Sequence, residues 1–209
     1  MKNILAFGDS NTWGLIPKTG FKERYPSDKR WTGILRQNIK GAEIIEEGLC
    51  GRTTVFEDKK REGRNGAAAL SQILKKHAPL SGAIIMLGTN DCKTEYGATP
   101  EEIGEGIKLC LTKIEQYVPS KNILLVSPIY LGRDVWKPEK DPEFDRESIE
   151  KSKKLKAVFK DIAKNMGANF LAASDFAAPD DADNEHMDET GHRQLALALY
   201  KKLLDMEVI

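Results

Sequence analysis

The side chains that could do covalent chemistry in this chain begin with Ser10, in the segment FGDSNTWG that follows an apolar run at the N-terminus. Gly8 permits a sharp turn there, and Asp9 can accept hydrogen bonds from nearby backbone N–H groups. A serine hydroxyl becomes a nucleophile once a base takes its proton. The tripeptide alone is better explained by a strand-to-helix turn in which Ser10 is the N-cap, so partners must be sought elsewhere in the chain.

Three histidines are the candidate bases: His77, His186 and His192. His77 ends a predicted helix, where an imidazole interacts favourably with the helix dipole, so we expect it to be structural. Asp183 precedes His186 by three residues and Glu189 precedes His192 by three, and either carboxylate could fix the tautomer of its imidazole. The spacing therefore does not choose between the pairs. Position favours His186, because His192 falls in the first turn of the last predicted helix, where a partly buried structural histidine is expected.

Attack on a carbonyl also needs hydrogen-bond donors aimed at the oxyanion that develops. The segment GLCGRTT, Gly48 to Thr54, offers the backbone N–H of Gly51, and the segment MLGTND, Met86 to Asp91, offers the side-chain amide of Asn90. Ordinary turns explain each segment separately. All of these segments, however, follow predicted strands, and the carboxyl ends of parallel strands lie at one edge of a sheet. The sequence thus predicts that Ser10, a histidine and both donors meet there.

Five apolar runs supply the strands of that sheet. Their hydrophobicity is continuous rather than alternating, as in strands covered on both faces, and such strands belong to parallel sheets. Helical patterns lie between the runs, so the predicted fold class is α/β: a three-layer α/β/α sandwich with a five-stranded parallel sheet and right-handed crossovers. The runs are Ile4 to Phe7, Ile44 to Ile45 with its neighbours, Ala83 to Leu87, Ile123 to Val126 and Ala168 to Ala172.

The clearest helical pattern covers Thr99 to Val118. Thr99 is suited to the N-cap, and Glu102 to the third position of a capping box. The stretch from Pro128 to Asp145 is a long excursion after the fourth strand, and loops of this length inside a compact domain are usually functional. Further helices are predicted at about Asp28 to Ile39, Gly66 to His77, Ser148 to Met166 and Asp188 to Leu204.

The composition excludes several classes of protein. A length of 209 residues fits one domain over 1–209, and 32 Lys+Arg balance 32 Asp+Glu, which leaves no field to attract nucleic acid or anionic lipid. No apolar run approaches the roughly 20 residues of a membrane span. The cysteines, Cys50, Cys92 and Cys110, form no Cys-x-x-Cys, so neither a disulfide framework nor a zinc site is expected. Signal-peptide cleavage would remove Ser10, so we expect a cytoplasmic protein.

In order along the chain, the segments FGDSNTWG, GLCGRTT, LGTND and DNEHMDETGH resemble the four sequence blocks of the SGNH (GDSL) hydrolase superfamily. The longer matches, TWG after the serine and RTT in the second block, are similar to its bacterial arylesterase and acyltransferase branch. The resemblance implies the flavodoxin-like SGNH hydrolase fold. It also implies that His186 is the catalytic histidine and His192 a trailing helix residue, because the family's terminal block places the histidine before a segment like MDETGH.

The resemblance assigns a role to each matched residue. Ser10 would be the nucleophile, His186 the general base and then the general acid, and Asp183 the residue that orients His186. The Ser10 N–H, the Gly51 N–H and the Asn90 side chain would form the oxyanion hole.

The chain departs from the family pattern beside the nucleophile. Asn11 stands where leucine commonly follows the serine, and the arylesterase branch often has a bulky aromatic residue near Leu15. We expect Trp13 and Leu15 to contact the substrate. Members of that branch tend to assemble into closed homo-oligomers through loops beside the active site, for which Leu15 to Tyr25 and Pro128 to Asp145 are the candidates. Such an assembly would narrow the entrance and favour small acyl groups.

The resulting prediction is a serine esterase that hydrolyses or transfers short-chain or aryl acyl groups through a Ser-His-Asp triad and an acyl-enzyme. Its partner is a small-molecule ester, and no cofactor, metal, nucleic acid or membrane is expected. Activity should rise with pH through about 6.5, the ordinary pKa of histidine, adjusted by Asp183. One alternative is a carbohydrate O-deacetylase. Another is a flavodoxin-like nucleotide- or phosphate-binding module, which the lack of a G-x-G-x-x-G or Walker loop and the Asp9 carboxylate disfavour.

Overall fold

A five-stranded parallel sheet runs through the middle of the protein, in the strand order β2-β1-β3-β4-β5. The computed structural model describes all residues from 1 to 209. Helices cover both faces of the sheet, which confirms the predicted α/β fold class and three-layer architecture. The strands are β1 (Lys2–Gly8), β2 (Ala42–Gly48), β3 (Gly82–Met86), β4 (Ile123–Ser127) and β5 (Asn169–Ala172).

Six α-helices connect and cover the strands. They are α1 (Ser10–Trp13), α2 (Trp31–Asn38), α3 (Gly66–His77), α4 (Pro100–Glu115), α5 (Arg146–Met166) and α6 (Glu189–Asp205). The capping box predicted for α4 is present: the Thr99 side chain accepts from the Glu102 N–H, and the Glu102 carboxylate accepts from the Thr99 N–H. The short helix α1 was not predicted. None of the helices combines the length and the hydropathy that a membrane span requires.

Alternate residues of the inner strands face two separate hydrophobic cores. From β1, Leu5 and Phe7 pack into a core shared with α3, α4 and α5. Ile4 and Ala6 pack into a second core shared with α2 and α6. Burial on both faces explains the continuous apolar runs of β3 and β4, which are buried at every position.

The edge strand β2 is the exception to that pattern. Only Ala42 and Ile44 are buried in it, and the next residue on the same face, Glu46, is partly buried. Glu46 accepts from Arg30 at 2.8 Å and from Arg36 at 2.8 Å, and it also pairs with Arg24. An edge strand needs only one apolar face, so its apolar run in the sequence is the shortest of the five.

The excursion from Pro128 to Asp145 contains neither helix nor strand. It is anchored to the first core by buried apolar residues, among them Leu131, Val135 and Phe144. The segment therefore lies against the body of the protein, next to the carboxyl ends of the strands.

Candidate functional site

Ser10 lies at the point where β1 ends and α1 begins. Asp9 is the N-cap of that helix, because its side chain accepts from the Asn11 N–H at 3.0 Å. The alternative interpretation, with Ser10 as N-cap, is therefore wrong, and the Ser10 hydroxyl is not used in capping. Gly8 has to be glycine here, since a Cβ would lie 2.1 Å from Thr12 Oγ1 and 2.6 Å from the Met86 carbonyl oxygen.

The side chains of Ser10, His186 and Asp183 form one hydrogen-bonded chain. Ser10 Oγ lies 2.8 Å from His186 Nε2, and His186 Nδ1 lies 2.8 Å from Asp183 Oδ2. All three residues are buried. Because Nδ1 faces a carboxylate, it is the nitrogen that carries the proton in neutral imidazole, and Nε2 is left free to accept from the hydroxyl.

Asp183 is itself held by backbone donors. Its Oδ1 accepts from the N–H groups of Glu185 at 3.0 Å and His186 at 2.9 Å, and its Oδ2 accepts from the Lys18 N–H at 3.2 Å. Burial raises the pKa of Asp183, but the hydrogen bond and charge of His186 outweigh burial and leave the pKa below its ordinary value. Asp183 is therefore ionised at neutral pH and fixed in orientation.

The charge environment of His186 favours the imidazolium. Burial lowers the pKa of His186, but the carboxylates of Glu185, Asp183 and Asp9 outweigh it and raise the pKa to about 9. Glu185 raises the pKa through its charge alone, whereas Asp183 raises it through both its hydrogen bond and its charge. The Glu185 carboxylate Oε2 lies 3.7 Å from His186 Nδ1. No local pattern in the sequence distinguishes Glu185 from the other acidic residues of this segment.

The competing pair of Glu189 and His192 is not assembled. Glu189 forms an ion pair with Lys29 at 2.8 Å on the surface. His192 is fully buried, and its Nδ1 accepts from the Trp31 N–H at 3.4 Å. Burial lowers the pKa of His192 to about 3, so it stays neutral. The geometry therefore brings His186, and not His192, to Ser10.

Asn11 connects the serine segment to the histidine segment. Its side-chain Nδ2 donates to the Glu185 carbonyl at 3.3 Å, and its Oδ1 accepts from the Met187 N–H at 3.0 Å. The residues on either side of His186 are thus bound by the residue that follows Ser10. Sequence analysis noted Asn11 only as a departure from the family pattern. An amide that can both donate and accept next to the serine was the available signal.

Three N–H donors on the loops after β1, β2 and β3 are free to bind a further acceptor. The backbone N–H groups of Ser10 and Gly51 donate to no backbone or side-chain acceptor of the chain, and Gly51 adopts φ 81°. Asn90 Nδ2 donates to the Arg52 carbonyl at 3.1 Å, which leaves its second hydrogen free. These are the donors expected at an oxyanion hole.

Buried polar contacts join the loop after β2, which carries Gly51, to the end of β1 and to the loop after β3. Arg52 Nη1 donates to the Gly8 carbonyl at 2.8 Å, and its guanidinium lies 4.2 Å from the centroid of the Phe7 ring. The Asp91 carboxylate accepts from the Thr54 N–H at 2.9 Å and from its hydroxyl at 2.5 Å. The loops after β1, β2 and β3 are thus joined directly to one another.

A cavity of about 450 Å³ opens beside His186. Only two of its 13 lining residues are hydrophobic, Leu15 and Phe21. Leu15, predicted to contact the substrate, is thus part of the cavity wall. Trp13 does not line this cavity: it lies 5.5 Å from the Arg24 guanidinium, outside the wall. The polar lining residues include Lys18, Lys60, Arg61, Lys140, Asp141, Glu143, Asp183 and Glu185.

Glu143 fixes one wall of the cavity. Its carboxylate lies 2.6 Å from Lys93 Nζ, 2.9 Å from Lys60 Nζ and 3.0 Å from Arg61 Nη2. The Lys93 side chain is only 2% exposed, and Glu143 is the one carboxylate that forms an ion pair with it. Without Glu143, the buried ammonium of Lys93 would be unpaired. The contact ties the excursion to the loops after β2 and β3. Sequence analysis did not single out these residues, because they are far apart in the chain.

Known proteins are similar to this chain in sequence and in fold. The model of the GDSL-like lipase/acylhydrolase family matches residues 6–194. The native aryl esterase of M. smegmatis shares 34% identity over 99% of this chain and 100% of its own, with a TM-score of 0.90. Est24, a carbohydrate acetylesterase from Sinorhizobium meliloti, shares 34% identity over 99% of this chain and 100% of its own, with a TM-score of 0.88. The comparison with curated proteins finds no match.

The family match covers all four sequence blocks, from before Ser10 to beyond His192. Both solved structures are similar along their full length, which agrees with the resemblance found in the sequence. On these grounds the chain belongs to the GDSL-like lipase/acylhydrolase family, within the SGNH hydrolases.

Proposed function

We propose that this protein is a serine esterase in which Ser10 attacks the ester carbonyl and His186 takes the Ser10 proton. The observation that carries the proposal is the buried chain of two 2.8 Å contacts from Ser10 through His186 to Asp183, beside an open cavity. Asp183 keeps the imidazole in the tautomer that accepts at Nε2 and stabilises the imidazolium that forms.

The reaction proceeds through an acyl-enzyme. Attack by Ser10 Oγ gives a tetrahedral intermediate, whose oxyanion accepts from the Ser10 N–H, the Gly51 N–H and Asn90 Nδ2. Protonated His186 then gives its proton to the leaving alkoxide, and the carbon–oxygen bond of the ester breaks. Water enters and loses a proton to His186 as its oxygen bonds to the acyl carbon. His186 then returns that proton to Ser10 Oγ as the bond between the acyl carbon and Oγ breaks, and the acid leaves. An alcohol in place of water would receive the acyl group instead.

The acyl group is proposed to be short. Only two of the cavity's 13 lining residues have hydrophobic side chains, so an extended hydrocarbon chain would lie among charged groups rather than in an apolar groove. Aryl acetates suit it, as the name of the M. smegmatis relative suggests. The polar lining supports a second candidate, an acetylated carbohydrate, because hydroxyl groups can bond to the charged walls, and Est24 is described as a carbohydrate acetylesterase. Comparing kcat/KM on an aryl acetate and on an acetylated oligosaccharide separates the two candidates.

The roles of Ser10 and His186 are tested by removing each side chain. We expect S10A and H186A to lose about a thousandfold or more in kcat/KM on p-nitrophenyl acetate, since the remaining donors cannot replace a nucleophile and its base. A fluorophosphonate should label the wild-type protein at Ser10 and leave S10A unlabelled. His192→Ala is the matched control, expected to lower Tm with little effect on the rate. Equal loss in H192A, or full activity in H186A, would contradict the assignment.

A further inference from the structure

Glu185 is a buried carboxylate that the proposed reaction does not yet use. The residue is 5% exposed, and its Oε2 lies 3.7 Å from His186 Nδ1. No hydrogen bond of the chain reaches its carboxylate, and its only ion-pair contact is with His186. The carboxylate therefore lies in the cavity wall, with the imidazole as its only ion-pair partner.

The backbone of Glu185 is fixed on both sides. Its N–H donates to Asp183 Oδ1 at 3.0 Å, and its carbonyl accepts from Asn11 Nδ2 at 3.3 Å. These bonds fix the backbone at Glu185, and the burial of the residue limits the rotamers open to its side chain.

A buried carboxylate without hydrogen bonds is costly unless a cation compensates its charge. Burial raises the pKa of Glu185 to about 7, and the charges of His186 and Lys93 oppose that rise. His186 becomes a cation at one stage of ester cleavage, when it holds the Ser10 proton. The charge of Glu185 is thus compensated best at the stage where the reaction needs stabilisation.

We propose that Glu185 is a positioning residue of this site: a second carboxylate beside Nδ1 of His186 that stabilises the imidazolium formed when Ser10 gives up its proton. The inference rests on the proposed function. Glu185 forms and breaks no bond, and the proton passes from Ser10 to His186 Nε2 and on to the leaving alkoxide. Asp183 orients the ring, whereas Glu185 adds charge without a hydrogen bond.

Other charged groups face the same pair and enter its titration. Asp183 and Asp9 act on His186 together with Glu185. Lys93 and Asp141 act on Glu185 from the loop after β3 and from the excursion. The neighbouring His192 is neutral, because burial lowers its pKa to about 3. Glu185 and His186 therefore titrate as a coupled pair, with Glu185 ionised before His186 loses its proton.

The test compares pH profiles of kcat/KM on p-nitrophenyl acetate for wild type, E185Q and E185D. Loss of an opposite charge at this distance should move the acid limb of E185Q to lower pH by about one unit. Its plateau should fall several-fold, since its imidazolium is less stabilised. The two profiles then cross, with E185Q relatively more active on the acid side.

E185D keeps the negative charge, so the acid limb of its pH profile should stay near the wild-type pH. E189Q, which removes an exposed glutamate three residues beyond His186, is the matched control and should not move it.

The same titration is read without activity by NMR of labelled histidine rings. His186 of the wild-type protein should titrate well above 6.5, and by about one unit less in E185Q. An unmoved limb and an unmoved ring titration in folded E185Q would overturn the proposal. So would a wild-type His186 that titrates near 6.5, and this result does not require that E185Q fold. Absence of esterase activity in the wild-type protein would instead contradict the proposed function, while the ring titration still measures the coupling.

Discussion

His186 is the residue whose chemistry depends most on its neighbours. Three carboxylates surround it, those of Glu185, Asp183 and Asp9, and together they outweigh burial. Sequence reasoning expected activity to rise through about 6.5 with an adjustment by Asp183. The structure corrects this value upward, because Glu185 brings a second buried carboxylate within 3.7 Å of the ring.

The correction has a direct kinetic consequence. Only neutral imidazole can take the Ser10 proton, and the pKa of His186 is raised to about 9. Below that value the neutral fraction falls about tenfold for each pH unit. We therefore expect kcat/KM on p-nitrophenyl acetate to rise between pH 6 and pH 9, after correction for spontaneous hydrolysis. A plateau already reached at pH 7 would show that the carboxylates do not act on His186 in this way.

Local patterns were sufficient for some site residues and insufficient for others. Spacing left His186 and His192 equivalent, because each follows an acidic residue by three positions. Position and the family resemblance favoured His186, and the fold places it 2.8 Å from Ser10. The role of Asn11 could not be predicted, since its partners lie 174 and 176 residues away.

The turns at the strand ends are the elements that position the donors. Asn90 begins a short 3-10 turn after β3, and its amide also donates to the Arg52 carbonyl in the loop after β2. If Asn90 stabilises the oxyanion, its contribution appears only in the transition state.

N90A should therefore lower kcat by about 10² to 10³, with a small change in KM. Asn169→Ala is the matched control, because the Asn169 amide likewise donates to a backbone carbonyl, that of Lys121 at 2.8 Å, at the opposite end of the sheet. Steady-state kinetics and Tm of both variants distinguish the two effects. A loss confined to Tm, or a loss in KM alone, would exclude Asn90 from the oxyanion hole.

The excursion between β4 and α5 is attached to the body through Glu143. Burial raises the pKa of Glu143, but the hydrogen bonds of Lys93 and Lys60 outweigh it and lower the pKa to about 2. Since the ordinary value is 4.5, the ionised carboxylate stabilises the fold above that pH. This contribution, about 2 kcal/mol after solvent screening of the partly exposed ion pairs, is lost as pH falls from about 4.5 towards 2.

E143Q should accordingly reduce the free energy of unfolding at pH 7 and flatten its decline between pH 5 and pH 2. Urea unfolding at a series of pH values measures both effects. E139Q is the matched control, because Glu139 is an exposed residue of the same excursion and forms no ion pair. A variant that keeps the acid dependence of the wild-type protein would show that another carboxylate is responsible.

Most helices and the inner strands could be predicted from the sequence, because the patterns that specify them lie within single segments. The capping box of α4 and the apolar run of β3 each lie within one segment. The start of α2 was predicted too early, at about Asp28. The helix begins at Trp31, because the N–H groups of Lys29 and Arg30 donate to the Pro26 carbonyl in a turn. The path of the excursion depends on Glu143 and its cations, up to 83 residues away, and no local pattern encodes such a contact.

On the scale of the whole molecule, the strand order decides where chemistry can occur. β1 lies between β2 and β3. The connection after β1 leads to the strand on one side of it, and the connection after β2 leads back past β1 to the strand on its other side. The loops that leave β1, β2 and β3 diverge around this point and form a crevice. Ser10, Gly51 and Asn90 lie on these three loops. The segment before α6 brings His186 to the same crevice from the far edge of the sheet.

The size and polarity of the cavity beside His186 predict a preference for short acyl chains. The cavity of about 450 Å³ has charged walls and only Leu15 and Phe21 as hydrophobic lining. Each methylene added to the acyl group displaces water from charged side chains, and only two hydrophobic side chains are there to receive it, so extension gains little free energy. In a series of p-nitrophenyl esters, kcat/KM should be highest for acetate or butyrate and at least about tenfold lower for octanoate. A rise with chain length would mean that an apolar groove, absent from these walls, receives the acyl group.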